Sequence, residues 1–227
     1  MIDPTTPKGR VIAAALRLAG ERPWADVSML DIAEAANIGL ADLRREFPSK
    51  AAIPSAFTRA IDDVVLAKAV RPQPGTLPRD AIFEVVMSRF DAMQPYKSGL
   101  KSILASPGID TDLARRMFAS QAWMLNAAGI PLNDVGGTVR VFGLASVYAS
   151  VFRTWLDDDD AGLARTMAAL DRRLRRGEQS LQTFDGICGS ITRAFETFTR
   201  GAGTLRPTPA GASDSSSGAG AADGKQL

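Results

Sequence analysis

The chain reads as an all-α protein of two domains, a small helix-turn-helix head followed by a larger helical bundle. Three observations carry this reading. Two short capped helices lie between Ser28 and Lys50, apolar residues recur at helical spacing through most of the remainder, and no stretch shows a convincing strand pattern. With 227 residues, 45% of them apolar, the chain is long enough to bury one or two real cores.

A first helix starts at Thr6-Pro7 and places Val11, Ile12, Ala15, Leu16 and Ala19 on one face. Ser28, with Asp31 three residues on, signals the start of a second helix, each side chain satisfying a free backbone donor. Ile32, Ala33 and Ala36 face inward, and Asn37 suits the left-handed residue that ends such a helix. The next helix spans about Leu40 to Phe47, with Leu43 and Phe47 inward. Pro48 stops it and Ser49 is placed to cap its successor. The run Arg71 to Pro78 is a linker and turn. Helical spacing resumes with Ile82, Phe83, Val86, Met87 and Phe90, breaks at Gln94-Pro95, and continues to about Leu104. After the Ser106-Pro107-Gly108 turn, Asp110 or Thr111 caps a helix carrying Leu113, Met117, Trp123, Met124 and Leu125, which Gly129-Ile130-Pro131 ends.

The segment Thr138 to Leu156 is apolar on nearly every face and is expected to be buried all round. Asp157 to Asp160 ends that helix and puts negative charge at the start of the next, a plainer role than cation binding, since neighbouring carboxylates point apart. From Leu163 to about Leu181, Met167, Leu170 and Leu174 face inward, while Arg172, Arg173, Arg175 and Arg176 form a solvated face or pair with Asp residues. A last helix, about Ser180 to Thr199, returns Phe184, Ile187, Ile191, Phe195 and Phe198 to the bundle, and the Gly/Ala/Ser-rich stretch 201–227 is expected to be disordered. The expected domains are therefore 1–50, 51–200 and the tail 201–227.

Composition excludes several chemistries. The chain has no histidine and a single cysteine, Cys188, so it holds no Ser-His-Asp triad, no Cys-His pair and no His- or Cys-based metal site. No glycine-rich phosphate loop follows a strand, and neither enzyme activity nor a cofactor is expected. The longest strongly apolar uncharged run, Val141 to Phe152, is too short to span a bilayer. With no basic-then-apolar leader, a cytoplasmic protein without stable membrane insertion is expected. Residues 1–70 carry nine Lys or Arg and nine Asp or Glu, a net of zero, so the head lacks the concentrated basic charge usual in a nucleic-acid module.

The sequence Ile32-Ala33-Glu34-Ala35-Ala36, the turn Asn37-Ile38-Gly39 and the ending Phe47-Pro48-Ser49-Lys50 together resemble the N-terminal domain of TetR-type transcriptional regulators. The resemblance implies an all-helical homodimer that binds double-stranded operator DNA and answers to a small molecule in its second domain. The segment 138–156 would then be covered by its own domain and by a second subunit, and 162–180 would share the interface. It also implies DNA-contacting roles for Ser28, Gly39, Leu40, Ala41, Asp42, Arg44, Arg45 and Lys50: Leu40, Ala41 and Asp42 at bases, the cations at phosphates. Arg44 stands where the family mostly has Tyr. Asp42 and Glu46 would be repelled by phosphates, although a carboxylate can also accept from a cytosine amino group. An apolar small molecule or lipid would be lined by Met87, Phe90, Met117, Phe118, Trp123, Met124 and Tyr148, residues whose spacing equally suits plain core. A second resemblance rests on Trp24, Trp155-Leu156-Asp157-Asp158-Asp159, Thr166 and Leu170-Asp171-Arg172-Arg173-Leu174. These are similar to the TetR-fold accessory proteins of ubiquinone biosynthesis, which implies a lipid-binding role without DNA. The tail after Arg200 lacks the amphipathic membrane helix of that group.

Overall fold

The computed structural model describes residues 2–106, 111–134 and 136–177, all within the compact unit Met1–Leu181. The expected helix 180–199 and the tail 201–227 lie outside the described residues. Every regular element among those described is helical.

Helix α1 (Pro7–Glu21) starts as its sequence predicts, with Pro at its first turn and the Thr6 hydroxyl accepting from the Gly9 amide at 3.0 Å. Its buried stripe Val11, Ile12, Ala15, Leu16 and Ala19 packs against α2 (Met29–Ala35), α3 (Leu40–Glu46) and α4 (Ala52–Lys68). Ser49 does not cap α4. A turn intervenes, with the Ala52 amide donating to the Ser49 carbonyl at 3.1 Å, and α4 begins beyond it without a side-chain cap.

The bundle continues with α5 (Pro78–Met93), α6 (Lys97–Ala105), α7 (Thr111–Ala127), α8 (Gly137–Leu156) and α9, helical from 164 to the last described residue, 177. Helix α6 presses on α1 where Gly99 meets the Leu16 carbonyl; a Cβ there would overlap that backbone. The Ser102 hydroxyl accepts from the Trp24 amide at 2.9 Å, so α6 holds the head at two places.

An aromatic cluster forms the bundle's centre. Phe90 stacks on Tyr148 at 5.3 Å and on Trp155 at 5.6 Å, and the Trp155 indole donates to the Gln94 side chain at 3.0 Å. Beside it lies a feature the sequence reading missed: Arg89, 2% exposed, pairs with Asp62. Its Nε donates to the Tyr148 hydroxyl at 3.0 Å and Nη1 to Ser120 Oγ at 2.7 Å, while Ser120 donates to Asp62 at 2.7 Å. One buried network thus joins α4, α5, α7 and α8, and burial raises the Tyr148 pKa despite the adjoining guanidinium.

Within one chain helix α8 is covered on one face only, and Val139 (48%) and Phe142 (60%) stay exposed on the other, the side expected to meet a second subunit. One expectation needs correction. Met167 is 38% exposed, because α9 turns Leu170 and Leu174 inward instead. The aspartate run behaves as expected. It ends α8, and the Asp160 carboxylate accepts from the Ala164 amide at 3.0 Å at the start of α9. Asp158, fully buried, accepts from the Thr166 amide at 2.8 Å and hydroxyl at 2.7 Å.

Candidate nucleic-acid interface

Helix α2 opens on a capping box. Ser28 Oγ accepts from the Asp31 amide at 3.0 Å, and the Asp31 carboxylate accepts from the Ser28 amide at 2.8 Å. The same carboxylate pairs with Arg22 at 2.7 Å, and these donors hold Asp31 down to a pKa of about 2. Ser28, a predicted DNA contact, therefore has its hydroxyl engaged in the cap.

The turn into α3 follows from Asn37. At φ 51° it lets the Ile38 amide reach the Ala33 carbonyl at 3.1 Å and the Asn37 amide reach Glu34 at 3.0 Å, closing the end of α2. Arg10 of α1 clamps the turn, its Nε donating to the Ala36 carbonyl at 3.3 Å. Ala33 and Ala36 are buried, and their small side chains allow the close approach of the two helices.

Helix α3 is anchored by Leu43 and Phe47, exposed 0% and 2%, so its remaining residues face outward. Gly39 serves as its N-cap residue, and Leu40, Ala41, Asp42, Arg44, Arg45 and Glu46 are all exposed. These form one continuous surface. Arg45 pairs with Asp42 across one turn, which neutralises half of the acidic pair that weighed against DNA. Lys50 stands apart. Its ammonium donates to the Trp24 carbonyl and lies 4.3 Å above the Trp24 ring, and partial burial lowers its pKa. It fastens the end of the helix-turn-helix to Trp24, itself buried.

The seven residues expected around a ligand do not converge on one open cavity. Phe90, Met124 and Tyr148 are packed core, Met87, Met117 and Phe118 are half-buried, and Trp123 is 58% exposed. Among the described residues, hollows of about 610 and 310 Å³ open at the surface, the larger between α5 and α9, and none of the seven lines either.

Residues 11–56 match the family model of the bacterial regulatory proteins, tetR family. The matched segment covers α1, the capping box, the Asn37 turn, α3 and the start of α4. Solved structures share the TetR-like fold over much more of the chain. A TetR transcriptional regulator from Nitrosomonas europaea ATCC 19718 is 21% identical with a TM-score of 0.60, covering 76% of this chain and 98% of its own. Regulators from Rhodococcus sp. RHA1 (21% identical, TM-score 0.55, 74% of this chain and 93% of theirs) and Streptomyces coelicolor (20%, 0.57, 83% and 87%) follow the same layout. No curated protein matches the chain. At these identities the likeness is one of fold, and the TetR-like head is its most specific part. The residues that carry the second resemblance have an architectural use here. Trp155, Leu170 and Leu174 are core, and Asp158 with Thr166 builds the α8–α9 corner.

Proposed function

We propose that this chain is a DNA-binding transcriptional regulator of TetR type, acting as a homodimer and answering to an apolar small molecule in its bundle. The observation that carries the reading is the exposed α3 surface, set at a fixed angle by a complete capping box, the Asn37 turn and the Arg10 clamp. A helix pair held so firmly while the outer face of its second member stays uncovered suits insertion into a major groove. Leu40, Ala41 and Asp42 then face base edges and Arg44 a backbone phosphate.

Dimerisation would cover the face of α8 that carries Val139 and Phe142, together with Met167 of α9. The effector would enter beside the half-buried Met87 and Met117, whose flexible side chains can repack around an apolar guest. It would act by favouring one of two spacings of the paired heads. Among the described residues no helix is long and apolar enough to cross a membrane.

The deciding experiment measures binding of the purified chain to duplex DNA from upstream of its own gene, across salt concentrations and against random competitor. Specific binding that weakens as salt rises is the expected result. Binding no tighter than to random DNA overturns the reading.

A further inference from the structure

Helix α3 advances about 100° per residue, so with Leu43 inward, Ala41 and Arg45 stand about 160° and 200° away, at the centre of the outer face. Asp42 and Arg44 flank them. Arg45 is therefore the long side chain aimed straight out, with the small Ala41 leaving room beside it. Its side chain is 77% exposed, yet its Nη2 donates to Asp42 Oδ1, and Asp42 is itself 51% exposed. The other Asp42 oxygen faces Gly39, where a Cβ would stand at 3.3 Å, so glycine there leaves the carboxylate uncrowded. An ion pair this exposed adds little to stability. Its consequence is geometric: the carboxylate takes one of the five guanidinium hydrogens and leaves the rest of the planar fork presented outward.

We infer that Arg45 reads a guanine in the major groove, with Asp42 as the residue that positions its fork. Only guanine offers two adjacent acceptors, O6 and N7, there; adenine sets a donor beside N7, which a guanidinium cannot satisfy. Holding a flexible side chain before contact also lowers the ordering cost of binding. The inference rests on α3 entering the groove and changes the role of Arg45 from phosphate contact to base contact.

The test begins with selection of duplexes from a random library by the full chain. A guanine is expected in each enriched half-site, and its replacement by 7-deazaguanine, which lacks N7, weakens wild-type binding about ten-fold or more. The Arg45→Ala variant loses nothing further on that replacement. Asp42→Ala lowers the preference for guanine over adenine at that position while raising affinity for random DNA, because a negative charge has gone. A merely structural Asp42 would move both affinities together. The inference is overturned if 7-deazaguanine is tolerated, or if Arg45→Ala weakens every duplex alike and reduces the salt slope by about one, the mark of a phosphate contact. Enrichment without guanine overturns it alone. No enrichment overturns the regulator reading, and this inference with it.

Discussion

Two Asp–Arg pairs in this molecule have the same chemistry and opposite surroundings. Asp62–Arg89 lies in the bundle interior, where the guanidinium is 2% exposed and four helices supply its partners. Asp42–Arg45 lies on one turn of α3 with both side chains largely in water. In the interior the desolvation of both ions offsets their attraction, so the intact pair adds little net stability, but either partner left alone is costly. On the surface water screens the attraction and neither partner depends on the other. The first pair fixes how four helices meet; the second keeps most of the Arg45 donors available to something outside the protein.

The sharpest way to break the comparison is at Arg89. Arg89→Ala leaves the Asp62 carboxylate with the Ser120 hydroxyl but without its cation, and removes the donor to the Tyr148 and Ser120 oxygens; unfolding in denaturant is expected to show a loss of about 3–5 kcal/mol. The paired replacement Asp62→Leu with Arg89→Met restores most of that loss. If Arg89→Ala alone is near neutral, the interior pair behaves like the surface one and the contrast fails.

Next in size is Asp158, a buried carboxylate whose closest partners are the Thr166 amide and hydroxyl of α9. Burial pushes its pKa up, but the Thr166 amide and hydroxyl outweigh this and hold it below the usual carboxylate value. Asp158→Ala leaves the buried Thr166 amide unsatisfied, and a stability loss of about 1–3 kcal/mol is expected in the same denaturant assay. Thr166→Val, which removes only the hydroxyl bond, should cost less.

Local and distant determinants divide what the sequence discloses. The head was legible because each of its devices lies within a few residues: Ser28 with Asp31, Asn37 after Ala36, Leu43 with Phe47. The interior pair was not, since Asp62 and Arg89 are 27 positions apart (89 minus 62) and a charge on a helix reads as solvated. A signal did exist: Val86, Arg89, Phe90 and Met93 share a face, and all four are buried. The expected face of Ile82, Phe83, Val86, Met87 and Phe90 shares Val86 and Phe90 with it, but Ile82, Phe83 and Met87 are only half-buried and the true centre lies nearer Arg89. For α8 the apolar count announces burial on every face, whereas one chain covers a single face and leaves Val139 and Phe142 exposed. At α3 the residues and their charges were legible, but not that Arg45 takes Asp42 as its partner.

A smaller effect is expected at the start of α2. Ser28→Ala removes a side-chain cap, with a loss of about 1 kcal/mol. Its partner Asp31 adds a pH signature. The folded pKa of about 2 lies below the value of 3.8 for the free carboxyl, so the stabilisation is fully present above the latter. It is lost as pH falls toward about 2. The melting-temperature gap between wild type and Asp31→Asn should therefore be constant near neutrality and close on acidification; a gap that persists at pH 2 would place its origin elsewhere.

The smallest expected effect on folding is also the one that separates the two pairs most cleanly. Arg45→Ala removes an ion pair whose members are both hydrated, so the unfolding midpoint should correspond to a change within about 0.5 kcal/mol. Binding to a selected duplex should meanwhile fall about ten-fold, as the loss of a base contact requires. Measured on the same preparation, a large binding loss with unchanged folding assigns the surface pair to recognition. A folding loss comparable to that of Arg89→Ala would instead show that Asp42 and Arg45 brace α3 against the head, and the distinction between the two pairs would collapse.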